Sequence, residues 1–566
     1  MVLLNPKMYE KDHADTRSKE IMLKTIDFFE KKGLKKLKED DGTAVWYDDY
    51  LNFIKENEIF ADLLTPTGYA PEARWDLWRI SEFNEVSGFY GLAYQYCYQV
   101  TILGLGPIFL GSNEELKKKA AQKLREGGVF AFALSEREHG NDIYSDEMTL
   151  YPNGDGTYLA KGNKYYIGNG NKACMVSVFG KLADTGEYVF FVVDSQHPNF
   201  ELVKKIDTSG ARQAYVSEFN LNDYPITEAD FLSRGQKAWD DALCTVNIGK
   251  FQVGWETVGE STHALYEALH HTCHRTLYGK PVYAFDHVRR LFIESYVRLM
   301  AMKLYALRAI DYFRSASDDD RRYLMYNAIL KMKVTGQAAV VADALLDIVA
   351  AKGFEQETFF EMYIRDVTMP PRLEGTTHVN MALINKFMFT YFFDNIEMAD
   401  TPRRSDAADD KYVFNQKAGG LAKVRFGDWK KPYVGIELAN VKKFRSQVDL
   451  LVEFLSQATP SDEQKKNVDF MIAVGELVTM AAYAQLILEN VKIYGIDDDV
   501  VEEIFSCLIR DFSRYALMVN STFTATSAQE TLLEKMILVK PVLNKERADR
   551  LWTKVLSMCD DYVMND

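Results

Sequence analysis

Apolar and polar residues change rhythm several times along the chain, and each change marks an expected boundary. From Thr16 to about Leu124 the rhythm is helical: the charged run Lys31 to Asp41 reads as a solvated face, and Trp75 to Tyr96 is richly apolar. A helical N-terminal domain over residues 1–127 is predicted. Between Phe130 and about Ile226, turns at Asn153 to Gly156, Gly168 to Asn171 and Asp184 to Gly186 separate pieces rich in Val and Phe, such as Met175 to Phe179 and Tyr188 to Val193. Such punctuation around short apolar runs predicts strands, hence a small β-barrel or sandwich domain over 128–230.

Helical rhythm returns over 231–395. Val288, Phe292, Leu299, Met302, Ala306 and Ile310 recur at steps of three, four or seven, which places them on one helix face. Tyr323 to Ala351 is apolar on more than one side, as a helix buried among others must be, and a four-helix bundle is expected. Paired Arg and Asp residues with Gly419, Gly420, Gly427 and Pro432 then break the pattern, so 396–434 reads as an extended connector. From 435 to 566, as in Asn467 to Tyr494, the signals are helical again and an extra C-terminal helical domain follows. The predicted class is α+β, mainly α.

Composition narrows the function. A chain of 566 residues is too long for one compact core, and 47% hydrophobic with 26% charged residues is ordinary globular usage. A net charge of −15 disfavours nucleic acid and anionic membrane surfaces, because both repel an acidic body. Cys97, Cys174, Cys244, Cys273, Cys507 and Cys559 form no Cys-x-x-Cys pair, which disfavours a disulfide framework or structural zinc and implies a reducing compartment. No presequence-like start, peroxisomal tail or long uncharged apolar run is present, so a cytoplasmic location without a membrane span is expected.

One segment stands out chemically. Pro370 and Pro371 are expected to hold the backbone extended before Arg372-Leu-Glu-Gly-Thr-Thr377, after which Val379, Leu383, Phe387 and Tyr391 recur about one turn apart. Glu374 is thus predicted on a fixed loop entering a helix, with Thr376 or Thr377 able to cap it. Taken alone, it is an acidic residue near a helix N-terminus, favoured there by the helix dipole. The cluster His270-His271-x-x-His274 invites a metal reading, but nothing nearby except Cys273 completes a ligand set, and Cys273 faces elsewhere on a helix. No metal is expected.

Further motifs give Glu374 a context. Phe132-Ala-Leu-Ser-Glu-Arg-Glu-His-Gly-Asn-Asp142 is followed by Lys164-Tyr-Tyr-Ile-Gly-Asn169, Arg275-Thr-Leu-Tyr-Gly-Lys280, Lys352-Gly-Phe354, Arg365-Asp366 and Glu374-Gly-Thr376. Their order and spacing over about Phe130 to Phe392 resemble the FAD-dependent acyl-CoA dehydrogenase family, with a C-terminal extension as in its very-long-chain members. The resemblance implies FAD between the β-domain and the helical bundle. Phe132, Leu134 and Ser135 match its flavin loop, Ser135 as a donor to the pyrimidine side. Tyr166 matches a ring covering the isoalloxazine, with the backbone of Ile167 and Gly168 near N5. Arg275, Leu277 and Tyr278 match positions that reach the FAD of a neighbouring subunit, and Thr376 and His378 match positions near pyrophosphate and adenosine. Asp286, Asp347, Ala350 and Ala351 complete the cofactor-binding set.

For the substrate, the resemblance assigns Asn141 to the CoA arm, Asn247 and Lys250 to the pantetheine, and Leu373 and Gly375 to the pocket. Glu374 becomes the base that removes the α-proton of an acyl-CoA. A homodimer or dimer of dimers and an electron-transfer flavoprotein as acceptor are implied partners. The sequence departs from the family at Tyr166 (usually Trp), Gly168 (Thr), Asp286 (Gln), Lys250 (Arg) and Asp347-Ile-Val-Ala-Ala351 (Gln-x-x-Gly-Gly). Leu373 stands where Tyr or Phe is common, which widens the pocket. An oxidase re-oxidised by O2 and a non-catalytic relative that binds acyl-CoA or scaffolds a partner are the competing readings.

Overall fold

The computed structural model describes every residue except Met1, Lys11, Glu72, Asn141 and Asn395. Asn141, expected at the CoA arm, therefore lies outside the described residues. Two helices, Leu77–Tyr90 and Leu92–Leu110, lie at the centre of the N-terminal part. Every residue of the first and all but Tyr96 of the second are buried, matching their apolar composition on all sides. Gly91 separates them at a φ of 150°, and Asp76 starts the first by accepting from the Trp78 N–H at 3.0 Å.

The β-domain is an eight-stranded sheet: β1 (Val129–Ala133), β2 (Thr149–Pro152), β3 (Thr157–Gly168), β4 (Ala173–Leu182), β5 (Tyr188–Val193), β6 (Phe200–Lys205), β7 (Val216–Thr227) and β8 (Phe231–Arg234). Its order is β6-β7-β3-β2-β4-β5-β8, with β1 parallel to β4 in register Phe132↔Ser177. Strand periodicity assigns the two faces. In β5, Val189, Phe191 and Val193 join the sheet's own apolar core, while Phe190 and Val192 turn to the helices.

Three long helical rods follow: Gly235–Cys273, Asp286–Arg314, and Tyr323–Ile329 continued through a π-turn at Leu330–Val334 into Thr335–Val349. They pack on one another, and the first also packs on Leu77–Tyr90. Gly254 lets the π-turn approach, since a Cβ there would stand 2.8 Å from Leu330 Cγ. Arg365 and Asp366 bind the parts together. The guanidinium pairs with Asp41 of helix Thr16–Thr43 and donates to the Ser209 carbonyl, and Asp366 accepts from the Ala211 N–H at 2.7 Å.

The segment 396–434 corrects the expectation of an extended connector. It is a strap with 3-10 turns at Lys411–Phe414, Leu421–Lys423 and Lys431–Tyr433, and it buries Val413, Phe426 and Trp429. Its Arg and Asp residues are the reason. Asp410 pairs with buried Arg314 at 3.0 Å and accepts from the Leu77 N–H at 2.7 Å, and the Arg404 N–H donates to Asp311 at 2.8 Å. The C-terminal helices Ala439–Gln457, Val468–Tyr494, Asp498–Asn520, Ser527–Leu538 and Lys545–Leu556 share one apolar core with the rest of the helices instead of enclosing a separate one. Val468–Tyr494 is long and apolar enough to cross a membrane, but it lies largely buried against Asp286–Arg314 and Asp498–Asn520.

The scattered cysteine spacing disfavours a disulfide framework, yet one bridge is present. Cys273 and Cys559 are joined across a separation of 286 residues, a pairing that local spacing does not reveal, while Cys97, Cys174, Cys244 and Cys507 are free.

The helix-to-sheet contact rests on Gly104, whose Cβ would stand 2.6 Å from the Ala131 N and 2.8 Å from its O. Backbone cannot yield as a side-chain tip can, so Gly104→Ala is expected to cost about 1–3 kcal/mol. Thermal unfolding checks this, and an unchanged midpoint contradicts it.

Candidate active site

Between helix Phe359–Asp366 and helix Thr377–Asn385 the chain turns around Pro370 and Pro371, with the N–H of Arg372 donating to the Met369 carbonyl at 2.8 Å. The two prolines are therefore in a turn and not in the extended stretch expected of them; a proline φ suits both. Glu374 follows at a φ of 52° and Gly375 at 82°. Left-handed backbone is natural for Gly but costs a residue such as Glu roughly 1–2 kcal/mol, so the surroundings must enforce it.

Two buried lysines and an asparagine do so. Lys331 projects from the π-turn and its Nζ donates to the carbonyls of Pro371 at 2.8 Å and Gly375 at 2.6 Å, either side of Glu374. Asn380 Nδ2 donates to the carbonyls of Gly375 and Thr376, both at 3.0 Å, and Lys250 Nζ donates to Asn380 Oδ1 at 3.1 Å. Thr376 precedes helix Thr377–Asn385 but its side chain makes no capping bond, contrary to the expected role; Asn380 ties the helix start instead.

Glu374 is half-buried in the folded chain. Burial pushes its carboxyl up to about 7, against the pull of Lys331 and Lys250. Burial also draws Lys331 down to about 7 and Lys250 down to about 8, each opposed by Glu374. A low-dielectric pocket penalises every charge in it, and here the penalty exceeds the attraction between opposite charges. Tyr96 faces the same site: its phenol is raised, first by burial and then by Glu374.

Tyr96 also links Glu374 to the β-domain. A Cβ on Gly168 would stand 2.7 Å from Val100 Cγ2 and 3.0 Å from Tyr96 Oη, so Val100 and Tyr96 together fill the space of a side chain at 168. Next to it, Ile167 is buried and Tyr166 is exposed at a φ of 62°. Phe132, Leu134 and Ser135 are half-buried, and the Ser135 carbonyl accepts from the Tyr165 N–H at 3.0 Å. Beneath them buried Lys164 donates to the Leu134 carbonyl and Glu136 at 3.0 Å and to Asp146 at 2.6 Å.

Other expected residues are placed differently. Asn247 is buried and bonded to Gln416 of the strap at 2.7 Å, and Lys250 is buried beneath the Glu374 loop, so neither is a surface group. Leu373 and Gly375 border Glu374 half-buried, and His378 is exposed. Arg372 is exposed and bonds the Thr368 carbonyl of its own loop. Arg275, Leu277 and Tyr278 stand on the exposed hairpin Thr276–Leu277 and Lys280–Pro281, with Tyr278 95% exposed at a φ of 51°. Asp286 is exposed at a helix start. Asp347, Ala350 and Ala351 are exposed at the far end of the rod, Asp347 about 24 Å along it from Lys331 at 1.5 Å per residue. Ala350 has a φ of 59°, a backbone that favours the glycine usual there in the family.

Lys331, Asn380 and Tyr96 were not among the expected residues. The one signal for Lys331 was a charge within the largely apolar stretch Tyr323 to Ala351, which it shares with Lys333, Asp343 and Asp347.

A sheet domain between helical parts, with a carboxylate on a loop facing the sheet, defines a fold class, and the comparisons agree. Residues 131–224 match the middle domain, and residues 237–389 the C-terminal domain, of acyl-CoA dehydrogenases. The likeness to acyl-CoA dehydrogenases thus takes in both the sheet domain and the helical rods behind it. A short-chain-specific acyl-CoA dehydrogenase of Megasphaera elsdenii is 25% identical over 280 residues, covering 49% of this chain and 72% of that protein. The crystal structure of an acyl-CoA dehydrogenase complexed with FAD from Bacillus anthracis superposes with a TM-score of 0.76 at 18% identity, covering 99% of this chain and 97% of that one. The shared fold therefore extends through the C-terminal helices. A chain of the electron transferring flavoprotein structure of Acidaminococcus fermentans superposes with a TM-score of 0.60 at 20% identity, covering 66% of this chain and 98% of that one.

Lys331→Met removes the donor to two carbonyls that flank Glu374. The expected cost is about 1–3 kcal/mol in thermal unfolding, with faster amide exchange confined to the 371–376 loop. Unchanged loop exchange speaks against the grip.

Proposed function

We propose that this chain is an FAD-dependent acyl-CoA dehydrogenase in which Glu374 removes the α-proton of a thioester, giving a trans-2-enoyl-CoA. The observation that carries the reading is a carboxyl raised to about 7 on a backbone enforced by two buried lysines. An α-C–H is a weak acid, and a base serves best when its pKa lies near the working pH. An ordinary exposed Glu is a weaker base by more than two pKa units. The N–H of Glu374 donates to no other described residue, which leaves it for the thioester oxygen as charge develops there. Leu373 beside it leaves more room for the acyl group than a ring does.

The chain's residues fit the flavin. Ser135 offers a half-exposed hydroxyl, Tyr166 an exposed ring held out by a left-handed backbone, and Tyr96 brings its hydroxyl to the place of the Thr missing at 168. Thr376 and His378 are open beside Glu374, and Ala350 keeps a glycine-like backbone without the glycine. When bound, FAD accepts the β-hydrogen as hydride. Leu277 and Tyr278, exposed on their hairpin, suit insertion into a second copy of the chain, which supports a homodimer. Delivery of electrons to an electron-transfer flavoprotein is supported by the fold shared with the Acidaminococcus chain.

The purified protein is expected to be yellow and to bleach anaerobically with acyl-CoAs. Glu374→Gln is expected to slow bleaching by about 10²–10⁴-fold while FAD stays bound; full-rate bleaching by that variant removes Glu374 from the role. Because the carboxyl must be ionised to act, the bleaching rate should fall about tenfold per pH unit below about 7 and level off above it. A profile flat from pH 5 to 8 contradicts the raised carboxyl.

A further inference from the structure

The cluster His270-His271-x-x-His274 has no part in the proposed reaction, yet the fold supplies what its sequence lacked. His270 lies in the last turn of helix Gly235–Cys273 and His274 is its C-terminal cap, while Asp560 arrives from the far end of the chain. His270 Nδ1 stands 3.2 Å from Asp560 Oδ1, and His274 Nε2 stands 3.7 Å from the same oxygen. All three ligand atoms lie within 4.8 Å of one another. Around a tetrahedral ion with ligands at about 2.0–2.1 Å, neighbouring donor atoms are about 3.3 Å apart, so small side-chain rotations close the set.

Three further features favour a cation here. His274 Nδ1 lies 2.9 Å from the His270 carbonyl oxygen. A carbonyl only accepts, so Nδ1 carries the proton and Nε2 turns its lone pair toward Asp560, the tautomer a metal ligand needs. The free carbonyls at a helix C-terminus attract positive charge. The Cys273–Cys559 bridge, with Cα atoms 6.5 Å apart, joins the two segments at residues adjacent to His274 and Asp560 and so holds two ligands in register. The second histidine–carboxylate cluster, Glu136, His139 and Glu147, lacks this freedom, because Glu136 already accepts from Lys164 and from the N–H groups of Glu147 and Met148.

We propose that His270, His274 and Asp560 bind one divalent cation of the zinc class, with water completing the coordination. The ion clasps the chain's last residues to the helix end from which the Arg275–Lys280 hairpin projects. Two imidazoles and one carboxylate select zinc, cobalt or nickel over calcium or magnesium.

The test uses the untagged full-length chain, stripped with chelator and kept free of reductant so that the bridge stays intact. Calorimetric titration with Zn2+ is expected to show one site per chain, and Co2+ is expected to give visible bands without thiolate charge transfer. Zn2+ should raise the thermal midpoint. His274→Ala and Asp560→Asn are each expected to weaken binding by at least about tenfold and to abolish that rise. All three side chains are at least partly exposed, so these variants should fold, and circular dichroism confirms it. No saturable Zn2+ binding, unchanged affinity in both variants, or a thiolate band with Co2+ overturns the assignment.

Discussion

Everything at the site depends on one buried amine. Lys331 is buried away from solvent, so its protons go to the carbonyls of Pro371 and Gly375, and that choice bends the loop into the left-handed turn that carries Glu374. The amine reaches them because the helix widens by one π-turn, and the widened turn fits because Gly254 opposite has no side chain. Such π-turns recur at functional sites for this reason: they redirect one side chain without ending the helix. Lys250 acts through Asn380 on the other side of the loop. The cost of burying two amines and a carboxyl appears as lysines drawn toward neutrality and an acid raised toward it. Geometry and basicity thus have one origin.

How far the site could be read from the chain depended on the distance between cooperating residues. Glu374 was legible because Pro370, Arg372 and Gly375 are its sequence neighbours and the flanking motifs follow in order. The Gly168 departure was legible as a missing hydroxyl, but its replacement by Tyr96 was not, since helix Leu92–Leu110 meets β3 only in the folded chain. Lys331 looked like one of several charges in a largely apolar helix, and only the carbonyls it meets set it apart. Asp560 lies hundreds of residues from His270, beyond the reach of any local ligand-spacing argument.

The fold repeats the lesson. Periodicity revealed helices and strands because each is a local pattern, and β5 shows both of its faces in five residues. The strap at 396–434 was misread because Gly, Pro and paired charges signal a loop whether or not its charges find buried partners. Arg314 and Asp311, which receive it, sit on a helix whose periodicity tells only which face is apolar. Polar residues at such positions are satisfied by distant segments, and composition alone does not say which.

The apolar core divides in two: one part runs unbroken through the N-terminal helices, the three rods and the C-terminal helices, and the other is enclosed by the sheet. Cooperativity should follow that division. The helices form a single unit of unfolding, whereas the sheet can open without dissolving them. The sheet side, with Tyr166, is then free to breathe while Glu374, on the helical side, stays in place.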